Sequence, residues 1–108
     1  MVIRKDAGEL VLLEGRSKIL GADSQANYYS SKCILGRGDK IFLYTDGIVE
    51  IYNGKSEEFF GETGLQNLII RNHEKGIDAT IRAVAETVSG FESEVINDDI
   101  TVIGIEIL

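Results

Sequence analysis

The run Lys40-Ile41-Phe42-Leu43-Tyr44-Thr45 constrains the fold more than any other stretch of the chain. Side chains alternate along a β-strand, so Ile41 and Leu43 face one way while Phe42 and Tyr44 face the other. Both faces are apolar, and a strand of that kind wants cover on two sides. It therefore reads as an interior strand of a sheet. Residues 100–108 alternate just as clearly, with Ile103, Ile105 and Ile107 on one face.

The remaining segments arrange themselves around these two. Val2-Ile3-Arg4-Lys5 and Glu9-Leu10-Val11-Leu12-Leu13 flank Asp6-Ala7-Gly8, the pattern of a β-hairpin. Residues 15–21 read as loop, and residues 27–35, rich in Tyr, Ser, Cys and Ile, suit a further strand. The chain has no proline, so turns fall to Gly, Asn, Asp and Ser, and Gly36-Arg37-Gly38-Asp39 is one of them. Leu65, Leu68 and Ile69 follow helical spacing with Thr63 as the expected cap. Ile77, Ile81, Val84, Ala85 and Val88 form a second helical stripe that ends at Gly90. Strands, then two helices, then a strand predict an α+β fold: an antiparallel β-sheet with two helices packed on one face.

Size and charge bound the function. A chain of 108 residues supports one small domain, and no repeat or linker divides it. Eighteen acidic against 11 basic side chains give a net charge of -7, which argues against nonspecific binding to nucleic acid or to an anionic membrane. No apolar stretch approaches the roughly 20 residues that span a bilayer. No apolar h-region follows Met1, so a secretory leader is not expected. A single cysteine forms no internal disulfide, which fits a reducing, cytoplasmic setting. One histidine and one cysteine leave little for a zinc site built from those residues.

Carboxylates stand at two strand ends. Asp46-Gly47 follows the strand that ends at Thr45, and Asp98-Asp99 precedes the last strand. If the two strands are antiparallel neighbours, roughly 4.8 Å apart, Asp46 and Asp98 face each other. Two carboxylates that close repel unless one is protonated or a divalent cation lies between them. Oxygen-only donors favour a hard ion such as magnesium or manganese. On spacing alone the plainer reading carries more weight: Asp46 starts a turn and Asp98 caps a loop.

A wider pattern surrounds these acids. Residues 35–50, Leu-Gly-Arg-Gly-Asp-Lys-Ile-Phe-Leu-Tyr-Thr-Asp-Gly-Ile-Val-Glu, resemble the Leu-x-x-Gly-Asp...Leu-Tyr-Thr-Asp-Gly-Val-x-Glu signature of the bacterial metal-dependent serine phosphatases of the stage II sporulation protein E (SpoIIE) type, within the protein phosphatase type 2C superfamily. Phe59-Phe60-Gly61-Glu62-x-x-Leu65 resembles that family's Phe-Gly-x-x-x-Leu helix start. Asn97-Asp98-Asp99-Ile100-Thr101-Val102 resembles its closing Asp-Asp-x-Thr strand, and Leu20-Gly21 matches a shorter upstream element. The elements occur in family order over nearly the whole chain.

The resemblance implies one half of an α-β-β-α sandwich with two manganese or magnesium ions in an acidic cleft. It implies hydrolysis of phosphoserine or phosphothreonine by metal-activated water, without a phosphoenzyme. By motif match Asp46 and Asp98 are metal ligands, with Asp99 the alternate to Asp98. The implied substrates are small phosphorylated regulators such as anti-sigma-factor antagonists. The family's N-terminal half carries a further metal-binding Asp in an Asp-x-x-Gly-His-Gly context, and this chain has no such element. Residues 1–108 thus read as the C-terminal part of a phosphatase domain, weakly active or inactive alone. The competing reading is a non-catalytic interaction module that kept the fold.

Other chemistries fail on spacing. A cysteine phosphatase would place Arg six positions after Cys33, where Asp39 stands. A haloacid-dehalogenase-type Asp-x-Asp would need its first Asp at Tyr44. His73 lies near the end of the first expected helix, where a cation suits the helix dipole. Arg37-Gly38-Asp39 spells an adhesion tripeptide but reads as a turn, and Glu57 and Glu58 read as a solvated loop. With half a sandwich, one sheet face is left uncovered, and self-association through it is expected.

Overall fold

The computed structural model describes residues 1–15, 17–53, 56–91 and 99–108. Within them the strands are β1 (Val2–Ile3), β2 (Leu10–Val11), β3 (Lys40–Tyr44), β4 (Tyr52–Asn53), β5 (Glu58–Phe59) and β6 (Val102–Glu106). The helices are α1 (Gly61–Asn72) and α2 (Ile77–Gly90), with 3-10 turns at Asp46–Ile48 and His73–Lys75. The described strands form one antiparallel sheet in the order β2-β1-β3-β6, and β4 pairs with β5 separately. This is the α+β arrangement expected, with β3 interior between β1 and β6.

The first hairpin forms around Gly8, whose φ of +59° suits a residue without a Cβ. The Arg4 amide donates to the Glu9 carbonyl at 2.8 Å and closes the turn. Before β3, the Asp39 amide donates to the Gly36 carbonyl at 3.1 Å, with Gly38 at φ +87°. A turn with its third residue in that region selects glycine there. Asp39 itself is buried and anchors the turn to the hairpin. Its carboxylate accepts from Arg4 Nη1 at 2.8 Å, the Gly36 amide at 2.9 Å and the Lys5 amide at 3.1 Å. The tripeptide Arg37-Gly38-Asp39 is thus a structural turn whose acid points into the protein.

The helices cover one face of the sheet. Phe42, Ile3, Leu65, Ile69 and Val84 pack into one apolar cluster, together with Ile48 from the turn after β3. Gly104 stands opposite Phe42 in the β3–β6 register. A Cβ at Gly104 would lie 2.7 Å from Ile77 Cδ1, so the missing side chain lets α2 sit close on β6. Where α1 hands over to α2, Thr80 is fully buried, and its hydroxyl lies 2.8 Å from the Gly76 carbonyl and 3.0 Å from that of Asn72. Burying a hydroxyl without a partner is costly, so these contacts make a polar residue tolerable in the core.

The opposite face carries Val2, Ile41, Leu43, Ile103 and Ile105, since paired residues share a side. Val2 is covered, but Leu43, Ile103 and Ile105 remain 52%, 50% and 41% exposed. The two-sided apolarity of β3 is therefore real, and the helices cover Phe42 on one side while Leu43 on the other stays half exposed.

Several expectations need correction. Residues 27–35 form no strand and are largely exposed: β-prone composition alone does not make a strand where no neighbour pairs with it. Thr63 lies inside α1, which begins two residues earlier with Phe60 in the cap position. Ala85 is exposed, and Thr80 takes the buried place beside Val84. The final strand starts at Val102, and Glu58, read as loop, belongs to a short strand although it is exposed. Among the described residues no helix is long and apolar enough to cross a membrane.

Candidate active site

The two acidic segments meet where β3 and β6 end. In the register, Tyr44 pairs with Val102, so Thr45 and Thr101 come next as neighbours. The Thr45 amide donates to the Thr101 carbonyl at 3.1 Å. The Thr45 hydroxyl accepts from the Thr101 amide at 3.0 Å and donates to the Asp99 carbonyl at 3.1 Å. Asp46 is the next residue beyond Thr45, and the chain carrying Asp99 is tied to Thr45 directly. The antiparallel neighbourhood expected for these strands is thus present. Asp98 lies outside the described residues, while Asp99 is exposed.

Asp46 opens the 3-10 turn that leaves the sheet. Its carbonyl accepts from the Val49 amide at 2.9 Å and the Glu50 amide at 3.1 Å. Gly47 and Ile48 are buried, so the turn is pinned by packing while the Asp46 side chain stays exposed. The reading of Asp46 as a turn residue is correct as geometry and is compatible with a ligand role.

Asp46 also borders a cleft of about 430 Å³ together with Tyr44, Glu62, Glu14, Leu43 and Val49. The Tyr44 hydroxyl donates to Glu62 Oε1 at 2.6 Å. Burial, then the Glu62 hydrogen bond and charge, push the Tyr44 phenol up to about 12. Sequence reading missed this pair, although Glu62 stands in the quoted Phe-Gly-Glu motif and that position could have drawn attention to it. His73 is buried beside the hairpin, with Nε2 3.8 Å from where a Gly8 Cβ would stand.

Whether these residues fit a metal turns on donor type and number. Asp46 and Asp99 offer carboxylate oxygens on segments held side by side, the right kind for a hard dication. In number they fall short: among the described residues no group of three His, Cys, Asp or Glu side chains could hold a metal ion. The donors suit such an ion in type, and in number they do not make a complete site among the described residues.

The family model for stage II sporulation protein E (SpoIIE) matches residues 1–108. The chain belongs to the SpoIIE family. No curated protein and no solved structure matches it. SpoIIE membership ties the chain to phosphatase-related function, and it agrees with the order of motifs from Leu20-Gly21 to Asp98-Asp99. It also gives the Thr45-Asp46 turn a context beyond local geometry, because the Tyr-Thr-Asp-Gly run is where the SpoIIE resemblance is densest.

Proposed function

We propose that this SpoIIE chain supplies the acid-bearing C-terminal part of a manganese- or magnesium-dependent protein serine/threonine phosphatase. Asp46 and Asp98 are the metal ligands, with Asp99 as the alternate. The observation that carries the reading is the Thr45 tie, which sets the Asp46 turn beside the Asp99 segment in a chain of this family. Bound ions of this type supply charge that activates water and offsets the phosphoryl group. The chain's own contribution is to hold its carboxylates on a pinned turn and an anchored strand end.

Two or three carboxylates do not fill two six-oxygen shells. Further donors therefore come from water or from other polypeptide, and the chain alone hydrolyses phosphate esters weakly or not at all. The exposed Leu43, Ile103 and Ile105 support the same reading: a second sheet over that face completes the α-β-β-α sandwich. By family analogy the substrate is a phosphorylated cytoplasmic regulatory protein such as an anti-sigma-factor antagonist.

The test is hydrolysis of an aryl phosphate and of a phosphoserine peptide with manganese. It compares this chain with a longer polypeptide that adds an Asp-x-x-Gly-His-Gly element. Turnover only by the longer protein, abolished by Asp46→Asn, is expected. Robust turnover by the chain alone, lost in Asp46→Asn, would refute the need for further donors. No turnover by either, together with a defined protein partner, would favour a non-catalytic interaction module.

A further inference from the structure

The end of the β3–β6 ladder departs from ordinary pairing in one respect. Opposed residues of a hydrogen-bonded antiparallel pair exchange two main-chain bonds. Thr45 and Thr101 make only half of that exchange through the main chain, Thr45 amide to Thr101 carbonyl at 3.1 Å. The return bond from the Thr101 amide goes to the Thr45 hydroxyl at 3.0 Å instead of to the Thr45 carbonyl. That carbonyl accepts from the Ile48 amide at 3.4 Å and so begins the turn carrying Asp46. The same hydroxyl then donates to the Asp99 carbonyl at 3.1 Å.

The substitution has a physical reason. A carbonyl directed into the Asp46 turn is lost to the ladder, and without a replacement the start of β6 would lose its partner at the acidic end. The side chain of residue 45 supplies a second acceptor at the right place and, unlike a carbonyl, also a donor. Thr45 is exposed, so its hydroxyl is not there to satisfy a buried group. Water could hydrogen-bond both partners equally well, but it could not fix their position.

We infer that Thr45 is a positioning residue: its hydroxyl lets the chain turn out of the sheet at Asp46 while holding the Asp99 segment beside that turn. The meaning of this for catalysis rests on the metal-dependent phosphatase reading; the geometric claim does not.

The experiment uses the full chain with Thr45→Val, which keeps the shape and removes the hydroxyl, and Thr45→Ser, which restores it. Amide hydrogen exchange at Thr101 is measured without metal. Manganese affinity is followed by paramagnetic broadening of amide resonances. Thr45→Val should exchange roughly fivefold faster at Thr101, the loss of one hydrogen bond. It should bind manganese roughly tenfold more weakly, in the range seen when a ligand's supporting contact is removed. Thr45→Ser should behave as the parent chain in both. Unchanged Thr101 exchange in Thr45→Val would overturn the inference. Accelerated exchange with unaltered manganese binding would overturn its functional half. The Asp46→Asn chain separates the parent reading: if it binds manganese as tightly as the parent chain, the metal assignment fails while the Thr101 result still judges Thr45.

Discussion

The Tyr44 hydroxyl and the Glu62 carboxylate meet at 2.6 Å, joining the last residue of β3 to the first turn of α1. A carboxylate there also suits the positive end of the helix dipole. The pair lines the cleft that Asp46 borders, so it connects a helix of the core to the rim of the site.

Burial and Glu62 together hold the Tyr44 phenol neutral, up to about 12. The sign follows directly. A phenol raised above its ordinary value of 10.0 contributes its stabilisation in full below that pH, and the contribution is lost as pH climbs through the folded value. Of the chain's 4 tyrosines, the one absent in Tyr44→Phe should be the last to ionise in an ultraviolet titration. Glu62→Gln should shift that step downward. Simultaneous ionisation of all the tyrosines at an ordinary pH would contradict the pairing.

Phe42 and Leu43 are adjacent in sequence and opposite in fate. Phe42 is fully buried under the helices, whereas Leu43 is 52% exposed on the other face. Phe42→Ala should cost about 3–5 kcal/mol, the usual range for emptying an aromatic core position. Leu43→Ala should cost under about 1 kcal/mol, as expected of a surface change. Denaturant melts of both variants give the comparison, and equal losses would show that the Leu43 face is covered in solution.

Acid should loosen the hairpin and the turn before β3 together. The Gly36 and Lys5 amides, and then Arg4, hold the Asp39 carboxyl below its ordinary value, against the opposing effect of burial. A carboxylate lowered in this way stabilises the fold above the ordinary value of 3.8, and the stabilisation disappears as pH falls through the folded value. Asp39→Asn should be less stable than the parent chain near neutral pH and should lose less on acidification. Thermal melts across that range decide the matter; parallel curves would contradict it.

Gly104 should tolerate little. Its Cβ would meet Ile77 at Cδ1 (2.7 Å) and also at Cγ1 (2.9 Å), nearer the backbone, and Ile81 Cδ1 at 3.1 Å. Gly104→Ala should therefore cost about 1–3 kcal/mol through displaced packing, and Gly104→Val more. An alanine variant as stable as the parent would mean that α2 does not sit down on β6.

Much of this arrangement is legible in the sequence because burial writes a period into it. Phe42 against Leu43, Ile103 with Ile105, and Leu65 with Ile69 mark strands and helix from spacing alone. The antiparallel neighbourhood of β3 and β6 then places Thr45 by Thr101, and so the Asp46 turn beside the Asp99 segment. Residues 27–35 misled because β-prone side chains carry no information about whether a pairing strand exists. β4 and β5 are too short to show a period. Thr80 is buried because two carbonyls meet it, a tertiary coincidence that leaves no pattern. The exchange of carbonyl for hydroxyl at Thr45 and the Tyr44 contact with Glu62 depend on how a turn leaves the sheet. The quoted motifs contain those residues without saying what they touch.

The most direct measurement is anomalous scattering from crystals of this chain soaked in manganese. A manganese peak bound by the Asp46 carboxylate and by Asp98 or Asp99 at the shared end of β3 and β6 is the expected result. A peak elsewhere, or the Asp46 side chain and the Asp98-Asp99 carboxylates directed to different surfaces, would contradict the proposal that this strand end grips a hard dication.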